Sequence, residues 1–428
     1  MGALEPEWAP STIGRELEET FVRRAWYRYD FGDATNRGTW LAKFIAGEFR
    51  TNWRPDYEFG LAQATHVGHA SSFAAGRMAL YAILEALEIG LGDEVILPAY
   101  TCVVVANAIL YRGARPVYVD VTADDFNLDI QQLERALTPR TRAIIAQHTF
   151  GQPARIDAIC EIARARGLAV IEDVAHATGG TSAGRPLGSL GDAAFGSTDH
   201  SKVFSTSLGG FALSSSPAII DGLRRVQARA ANVPVTARAR IAFQYGALGL
   251  AARPRLHWLT RMPVEQLARV RLWYYLNDEL ELNRPDGYPA ALPNFAAFVG
   301  CQELHGLARN VEHRRWVAAR YREILQGVVG PLPEGTFLRY SLLVRSPVLW
   351  EHAIGRYFTV GRWFSSVTQG RSAHFEQVGY LPGSCPTAER VAAHIINFPT
   401  HLGIDERALQ RFERLVRRYH LTEEILPT

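Results

Sequence analysis

Leu168-Ala169-Val170-Ile171-Glu172-Asp173-Val174-Ala175-His176-Ala177 is the stretch on which the fold turns. Four apolar residues after Gly167 read as a short strand buried on both faces, and the strand ends where two carboxylates stand side by side. Upstream, Ile156 to Arg166 repeats its apolar residues with helical period and is closed by Gly167. Downstream, Asp192-Ala193-Ala194-Phe195-Gly196 is a second strand-like run. This alternation is that of a mainly parallel α/β sheet. It puts Asp173 at the carboxyl end of a strand, where open sheets of this kind hold ligands.

The same rhythm extends from about residue 75 to residue 215. Gly76 to Leu87 predicts a helix opened by glycine, Glu94 to Leu97 and Arg115 to Asp120 predict strands, Leu128 to Leu137 a helix and Ala143 to Ala146 a strand. Further on, Asn294 to Leu307 and Glu312 to Leu325 predict helices. The remainder mixes short strands with helices such as Ala388 to Ile396. The expected organisation is an N-terminal segment at 1–60 without clear assignment, a large α/β domain at 61–285 and a smaller C-terminal α/β domain at 286–428. The large domain carries a basic helical insertion at about 221–275.

A chain of 428 residues, 47% of them apolar, has enough material for a substantial core and more than one domain. Cys102, Cys160, Cys301 and Cys385 are widely spaced and form no CxxC pair, which argues against a disulfide framework and a zinc site. With no signal-like start and no apolar run near the roughly 20 residues of a membrane span, a cytoplasmic protein is expected. The net charge of +3 is unevenly spread: residues 221–271 hold ten arginines against Asp221 and Glu265. Such a stretch offers contact to an anionic ligand, a partner or a membrane surface, but a solvated arginine-rich helical face is the simpler reading. No nucleic-acid motif accompanies the charge.

Among 46 Lys and Arg residues only Lys43 and Lys202 are lysine. Arginine replaces lysine wherever a positive charge suffices, but its guanidinium neither deprotonates nor forms an imine. Lys43, in Trp40-Leu41-Ala42-Lys43-Phe44-Ile45, fits an amphipathic helix with its head in water. Lys202 lies in Gly196-Ser197-Thr198-Asp199-His200-Ser201-Lys202, followed by Gly209-Gly210, where small and hydroxyl residues let the backbone turn close to a ligand. A lysine, an aspartate at a strand end, a glycine opening a helix and a serine five residues before the lysine are the parts a pyridoxal-phosphate site needs. The lysine holds the aldehyde, the carboxylate keeps the pyridine nitrogen protonated, and helix-start amides with a hydroxyl hold the phosphate.

In this order and at these spacings the segments resemble the DegT/DnrJ/EryC1/StrS family of sugar aminotransferases, of fold type I. Gly76-Arg77-Met78-Ala79-Leu80 resembles the family's SGTxAL turn, and Gly92 to Pro98 its GDEVIxP. Gly113 to Val121 and Thr138 to Ile144 are similar to GAxPVFVDI and TPRTKAI. Glu172 to Ala177 is similar to EDAAQA, and Ser197 to Lys202 with Gly209-Gly210 to SFxxxK followed by GG.

The resemblance implies pyridoxal 5'-phosphate as cofactor, Lys202 as the Schiff-base lysine and proton carrier, and Asp173 as partner of the pyridine nitrogen. Ser197 and the backbone at Gly76 and Arg77 would hold the phosphate. Ala175 would pack on one face of the ring, and His176 would stand near its phenolic oxygen or the substrate. The family places an aromatic residue where Cys102 stands, so ring stacking is lost or falls to Tyr100. Arg77 replaces the family threonine. At Gly287 to Leu292, similar to GYNYRM, Pro289 and Ala291 replace the asparagine and arginine that reach the neighbouring subunit's cofactor phosphate, leaving Arg77 or an insertion arginine to compensate.

The implied activity is amino transfer from an amino acid, with glutamate the expected donor, to a nucleotide-linked keto sugar or a keto cyclitol. A homodimer and a role in amino-sugar or natural-product biosynthesis go with it. Sugar dehydration on the same cofactor is the alternative, but the family's dehydratases carry histidine at the lysine position, whereas here Lys202 is present and His200 is offset by two. A non-catalytic cofactor-binding regulator is the third reading.

Overall fold

The computed structural model describes residue 45 and residues 52–251, 282–329 and 334–427, apart from 356, 359 and 372. Lys43 and the insertion's residues 252–281, with Trp258, Trp273 and Tyr274, lie outside the described residues.

The strands are β1 (His69–Phe73), β2 (Glu94–Pro98), β3 (Arg115–Val119), β4 (Thr141–Gln147), β5 (Ala169–Asp173), β6 (Ala193–Ser197) and β7 (Gly210–Ser214). They form one seven-stranded sheet in the order β1-β7-β6-β5-β4-β2-β3. β7 runs antiparallel to both neighbours, and every other pairing is parallel. The mainly parallel α/β sheet expected from the sequence is therefore present.

The connecting helices are α1 (Arg54–Thr65), α2 (Gly76–Ala86), α3 (Val103–Tyr111), α4 (Ile130–Ala136), α5 (Ile156–Arg166) and α6 (Pro217–Ala228). Alternation along the strands sends Ile145, Ala193 and Ala212 to one face, where they pack with Met78, Ile83, Ala108 and Leu223 of α2, α3 and α6. Ile144 and Ala146 point to the other face, onto Leu133, Ile156 and Ile159 of α4 and α5. A sheet covered by helices on both faces explains why its strands read as continuous apolar runs. Gly167 closes α5 in the left-handed region at φ +65°, where a side chain would be strained.

Downstream come α7 (Val235–Ala251), α8 (Asn294–Leu304), α9 (Leu307–Gln326), β8 (Arg339–Leu343), α10 (Pro347–Ile354), α11 (Pro386–His394), β9 (Ile395–Pro399) and α12 (Glu406–Arg418). β8 and β9 pair antiparallel and, with α10, α12 and the second half of α9, enclose a separate core around Tyr321, Trp350, Phe398 and Phe412.

Three sequence expectations shift. The helix expected over Ala388 to Ile396 ends at His394, and Ile395 opens β9. The helices expected at 294–307 and 312–325 run 294–304 and 307–326, with the break at His305-Gly306. The segment from 286 to about 311 sides with the large unit: Ala296, Ala297, Leu307 and Val311 share a core with Tyr57 and Leu61 of α1 and with Phe211 and Leu213 of β7. Sequence periodicity marks helices but not the core that each one joins.

Candidate functional site

The register of the sheet brings the site together. Gly210, the first residue of β7, pairs with Phe73 on one side and Ser197 on the other, while Asp173 pairs with Phe195 and Gln147. The carboxyl ends of β1, β4, β5 and β6 thus meet at one edge. The chain leaves β1 there to begin α2 at Gly76, and leaves β6 to enter the Lys202 loop.

At Gly76 an added Cβ would stand 3.0 Å from the carbonyl oxygen of Gly196 and 3.1 Å from Cβ of Ser197. At Gly210 it would overlap the backbone nitrogen of Gly76. Glycine is needed at both places for the helix start to approach the strand ends. Ala75, at the N-cap of α2, supplies no side-chain cap, and the helix N-terminus, the end that favours an anion, faces Ser197. This cradle, the lysine and the buried carboxylate match the phosphate, aldehyde and ring nitrogen of pyridoxal phosphate.

The Lys202 loop is tied at its base, where Thr198 and Thr206 share a hydroxyl hydrogen bond of 2.6 Å and the Thr198 N–H donates to the Gly209 carbonyl. The Lys202 N–H donates to the Asp199 carbonyl. Burial lowers the pKa of the Lys202 amine and outweighs the opposing pull of Asp199, Cys102 and Asp173, while the positive charge of Arg339 lowers it further.

Asp173 shows the complementary behaviour. Burial pushes its carboxyl up to about 6, against the Ala175 N–H that it accepts at 2.9 Å and the nearby Lys202 charge. A cation within reach of its free oxygen would restore full ionisation.

The preceding Glu172 points the other way along the pleat. Its buried carboxylate accepts from the N–H groups of Gly188, Leu190 and Gly191 and pairs with Nε2 of His148 at 3.1 Å. Nδ1 of His148 accepts from the Ala154 N–H, so Nε2 carries the proton and donates to Glu172. The backbone N–H of His148 donates to the Asp173 carbonyl. Glu172 and His148 thereby fix the strand end that carries Asp173.

His176 is buried. Its ring lies parallel to Phe150, with centroids 5.9 Å apart and planes at 3°, and its Nδ1 accepts from the Phe150 N–H at 3.3 Å. Burial, and then the charges of Lys202 and Arg339, hold its pKa well below the usual imidazole range, so it is neutral. Phe150 adopts φ +53°, and Gly151 follows at φ +89°.

Two further residues, from the C-terminal half, complete the wall. Nζ of Lys202 lies 5.2 Å from the centre of the Trp363 indole, and the Arg339 guanidinium carbon lies 4.3 Å from it. Asn397 fixes the Trp363 N–H at 2.6 Å. Neither Trp363 nor Arg339 sits in a motif, and no signal in the sequence marked them.

Of the residues expected at the site, Lys202, Asp173, His176, Ala175, Ser197 and Gly76 gather at this edge. Cys102 lies close enough to Lys202 to act on its charge. Arg77 follows Gly76 in the first turn of α2. Tyr100 does not take the stacking place: it is fully buried among Phe150 and Phe364, and its hydroxyl donates to the Phe364 carbonyl at 2.8 Å. It tethers the segment that carries Trp363.

Pro289 and Ala291 act through their backbone. The Ala231 N–H donates to Pro289 O, the Ala291 N–H to Ala231 O, and the Ala74 N–H to Ala290 O, which stitches this segment beside β1. Arg229 of the insertion pairs with Glu85, beside a cavity of about 170 Å³ lined by Arg284, Asp286, Tyr288 and Pro289. No described helix is long and apolar enough to cross a membrane.

Comparison with known proteins gives a consistent result. The family described as the DegT/DnrJ/EryC1/StrS aminotransferase family matches residues 49–417. The chain is 31% identical over 386 residues to a UDP-N-acetyl-3-dehydro-alpha-D-glucosamine 3-aminotransferase of Acidithiobacillus ferrooxidans, covering 88% of this chain and 90% of that one. It is 36% identical to a GDP-perosamine synthase of Caulobacter vibrioides over 227 residues, a match that spans 51% of this chain and 60% of the synthase. Among solved structures, the aminotransferase TlmJ of Streptoalloteichus hindustanus is similar at 25% identity with a TM-score of 0.67, covering 93% of this chain and 99% of that one. DesV of S. venezuelae shares the fold at 23% identity and a TM-score of 0.69, covering 90% and 94%.

Proposed function

Because the chain belongs to the DegT/DnrJ/EryC1/StrS aminotransferase family, we propose that it is a pyridoxal-phosphate-dependent aminotransferase. In this reading it moves an amino group from an amino acid, glutamate, to a keto sugar linked to a nucleotide diphosphate or to a keto cyclitol. The observation that carries the reading is the placing of half-buried Lys202 and buried Asp173 at one sheet edge, beside the glycine-lined helix start at Gly76 and Ser197. For a nucleotide-linked acceptor, support comes from the names of two relatives, GDP-perosamine synthase and the UDP-sugar 3-aminotransferase.

Bound pyridoxal phosphate supplies an electron sink for the pair released when the donor's Cα–H bond breaks. The chain's residues supply the rest. Lys202 would hold the group by its aldehyde, and its Nζ would serve as the base that takes the donor's α-proton. A base must be neutral to do so, and burial with Arg339 nearby moves the amine in that direction. Asp173 would face the ring nitrogen as a carboxylate, Ser197 and the start of α2 would hold the phosphate, and the packed His176, Phe150 and Trp363 rings would exclude water. In the return half Nζ of Lys202 would deliver the proton to the former ketone carbon. We read the enzyme as a homodimer serving amino-sugar or natural-product biosynthesis.

The visible spectrum of the protein with pyridoxal phosphate, before and after glutamate, tests this. Conversion of the lysine-bound band to the pyridoxamine form, absent in Lys202→Ala, is expected. A band that no amino donor converts would remove the aminotransferase reading.

A further inference from the structure

α9 bridges two cores. Its first turns place Leu307 and Val311 in the cluster that also holds Val203 and Phe204 of the lysine loop, and its later turns place Val317, Ala318 and Tyr321 in the C-terminal core. At the changeover stand Asn310 and Arg314, one turn apart and both buried.

Nε of Arg314 donates to Oδ1 of Asn310 at 2.8 Å, and Nη1 donates to the Leu338 carbonyl at 3.1 Å and to the Thr400 hydroxyl at 2.9 Å. Nδ2 of Asn310 donates to the Val203 carbonyl at 2.7 Å. A guanidinium has donors only, so it fixes which end of the amide it meets. With Oδ1 committed to Arg314, the amide nitrogen must face Val203.

We propose that Asn310 is a positioning residue for Lys202. By holding the Val203 carbonyl it sets where Nζ stands relative to Asp173 and the Trp363 indole, and Arg314 ties that position to Leu338, the residue before Arg339. The lysine loop has no strand or helix between Asp199 and Phe204 and is anchored at its base by Thr198 and Thr206. The hydrogen bond from Asn310 reaches its far side, next to Lys202, from the C-terminal half. One buried pair thus places both walls of the site. The inference rests on Lys202 being the cofactor lysine.

Asn310→Asp separates positioning from folding, because an aspartate keeps an acceptor for Arg314 and loses the donor to Val203. The variant is expected to fold with a lowered thermal midpoint, since an oxygen then faces the Val203 carbonyl and the new charge pair with Arg314 offsets only part of that loss. Amide hydrogen exchange across residues 199–206 of the cofactor-free protein should speed up about tenfold, the scale of one lost buried hydrogen bond. Covalent capture of pyridoxal phosphate should slow by a similar factor, and the pH midpoint of the lysine-bound absorption band should move. Asn310→Ala, which loses both hydrogen bonds without adding charge, is expected to loosen the same amides if the aspartate variant does not fold. Wild-type exchange at 199–206 in the variant that folds overturns the proposal. Faster exchange in a protein whose wild type shows no adduct at Lys202 on borohydride reduction supports the anchoring of the loop and overturns the lysine's role instead.

Discussion

Nζ of Lys202 lies 5.2 Å from the centre of the Trp363 indole, so a side chain from the C-terminal half covers the lysine held by the large sheet. A cation over an indole gains electrostatic attraction, which favours the protonated amine. Burial and the Arg339 charge work against this, and the net shift of the amine is downward.

Arg339→Gln removes that opposing charge. The Lys202 amine should rise, and the pH dependence of its bound-cofactor spectrum should move to higher pH. On the proposed function, the Arg339 guanidinium, beside the lysine and stacked on Trp363, would receive the donor's carboxylate as a paired hydrogen bond. The KM for glutamate should therefore rise at least tenfold, as steady-state kinetics would show. An unchanged pH profile and KM would put Arg339 outside the working site.

Asp173 links the site to stability. Its carboxyl, raised by burial to about 6, favours the folded cofactor-free protein below the unfolded value near pH 4, and that contribution is lost as pH rises through 6. At pH 7 the buried carboxylate costs about 2–3 kcal/mol. Cofactor-free Asp173→Asn should thus be more stable than wild type at pH 7 and not at pH 4, as calorimetry at the two values would reveal. The same variant should lose conversion of the cofactor by glutamate.

Gly76→Ala tests the phosphate cradle. A Cβ 3.0 Å from the Gly196 oxygen and 3.1 Å from Ser197 Cβ forces the helix start away by a few tenths of an ångström. Cofactor affinity, titrated by absorbance, should fall about tenfold while the far-ultraviolet circular dichroism is retained. Unaltered affinity would place the phosphate elsewhere.

Glu172→Gln tests the strand-end anchor. Burial acts to raise this carboxyl, but His148 and the Gly188 and Gly191 amides hold it below the usual range, so its stabilisation is present above about pH 4.5 and lost below. A glutamine puts an NH2 against groups that donate, at a cost of roughly 2–4 kcal/mol at pH 7, measurable by chemical denaturation.

The sheet and half the site were legible because they are local. Asp173 closes an apolar run, Gly76 opens a helix, and Lys202 stands out in an arginine-rich chain; strand ends and helix starts are written in neighbouring residues. Arg339, Asn310 and Arg314 were not legible, because they reach the site only through packing of α9 and β8 against the large unit, and Trp363 was not, because the segment between α10 and α11 that carries it has no periodic pattern. Tyr100 misled for a related reason. An aromatic near a cofactor position reads as a stacker, yet here the Phe364 carbonyl captures its hydroxyl and draws the ring into the core.

Because the chain has two lysines, borohydride reduction of the protein with pyridoxal phosphate, followed by peptide mass spectrometry, gives the most direct answer. The pyridoxyl group is expected on Lys202, with Lys43 unmodified, and prior incubation with glutamate should abolish the adduct by converting the cofactor to its amine form. A label on Lys43 alone, or a Lys202 label that no amino donor diminishes, would contradict the account.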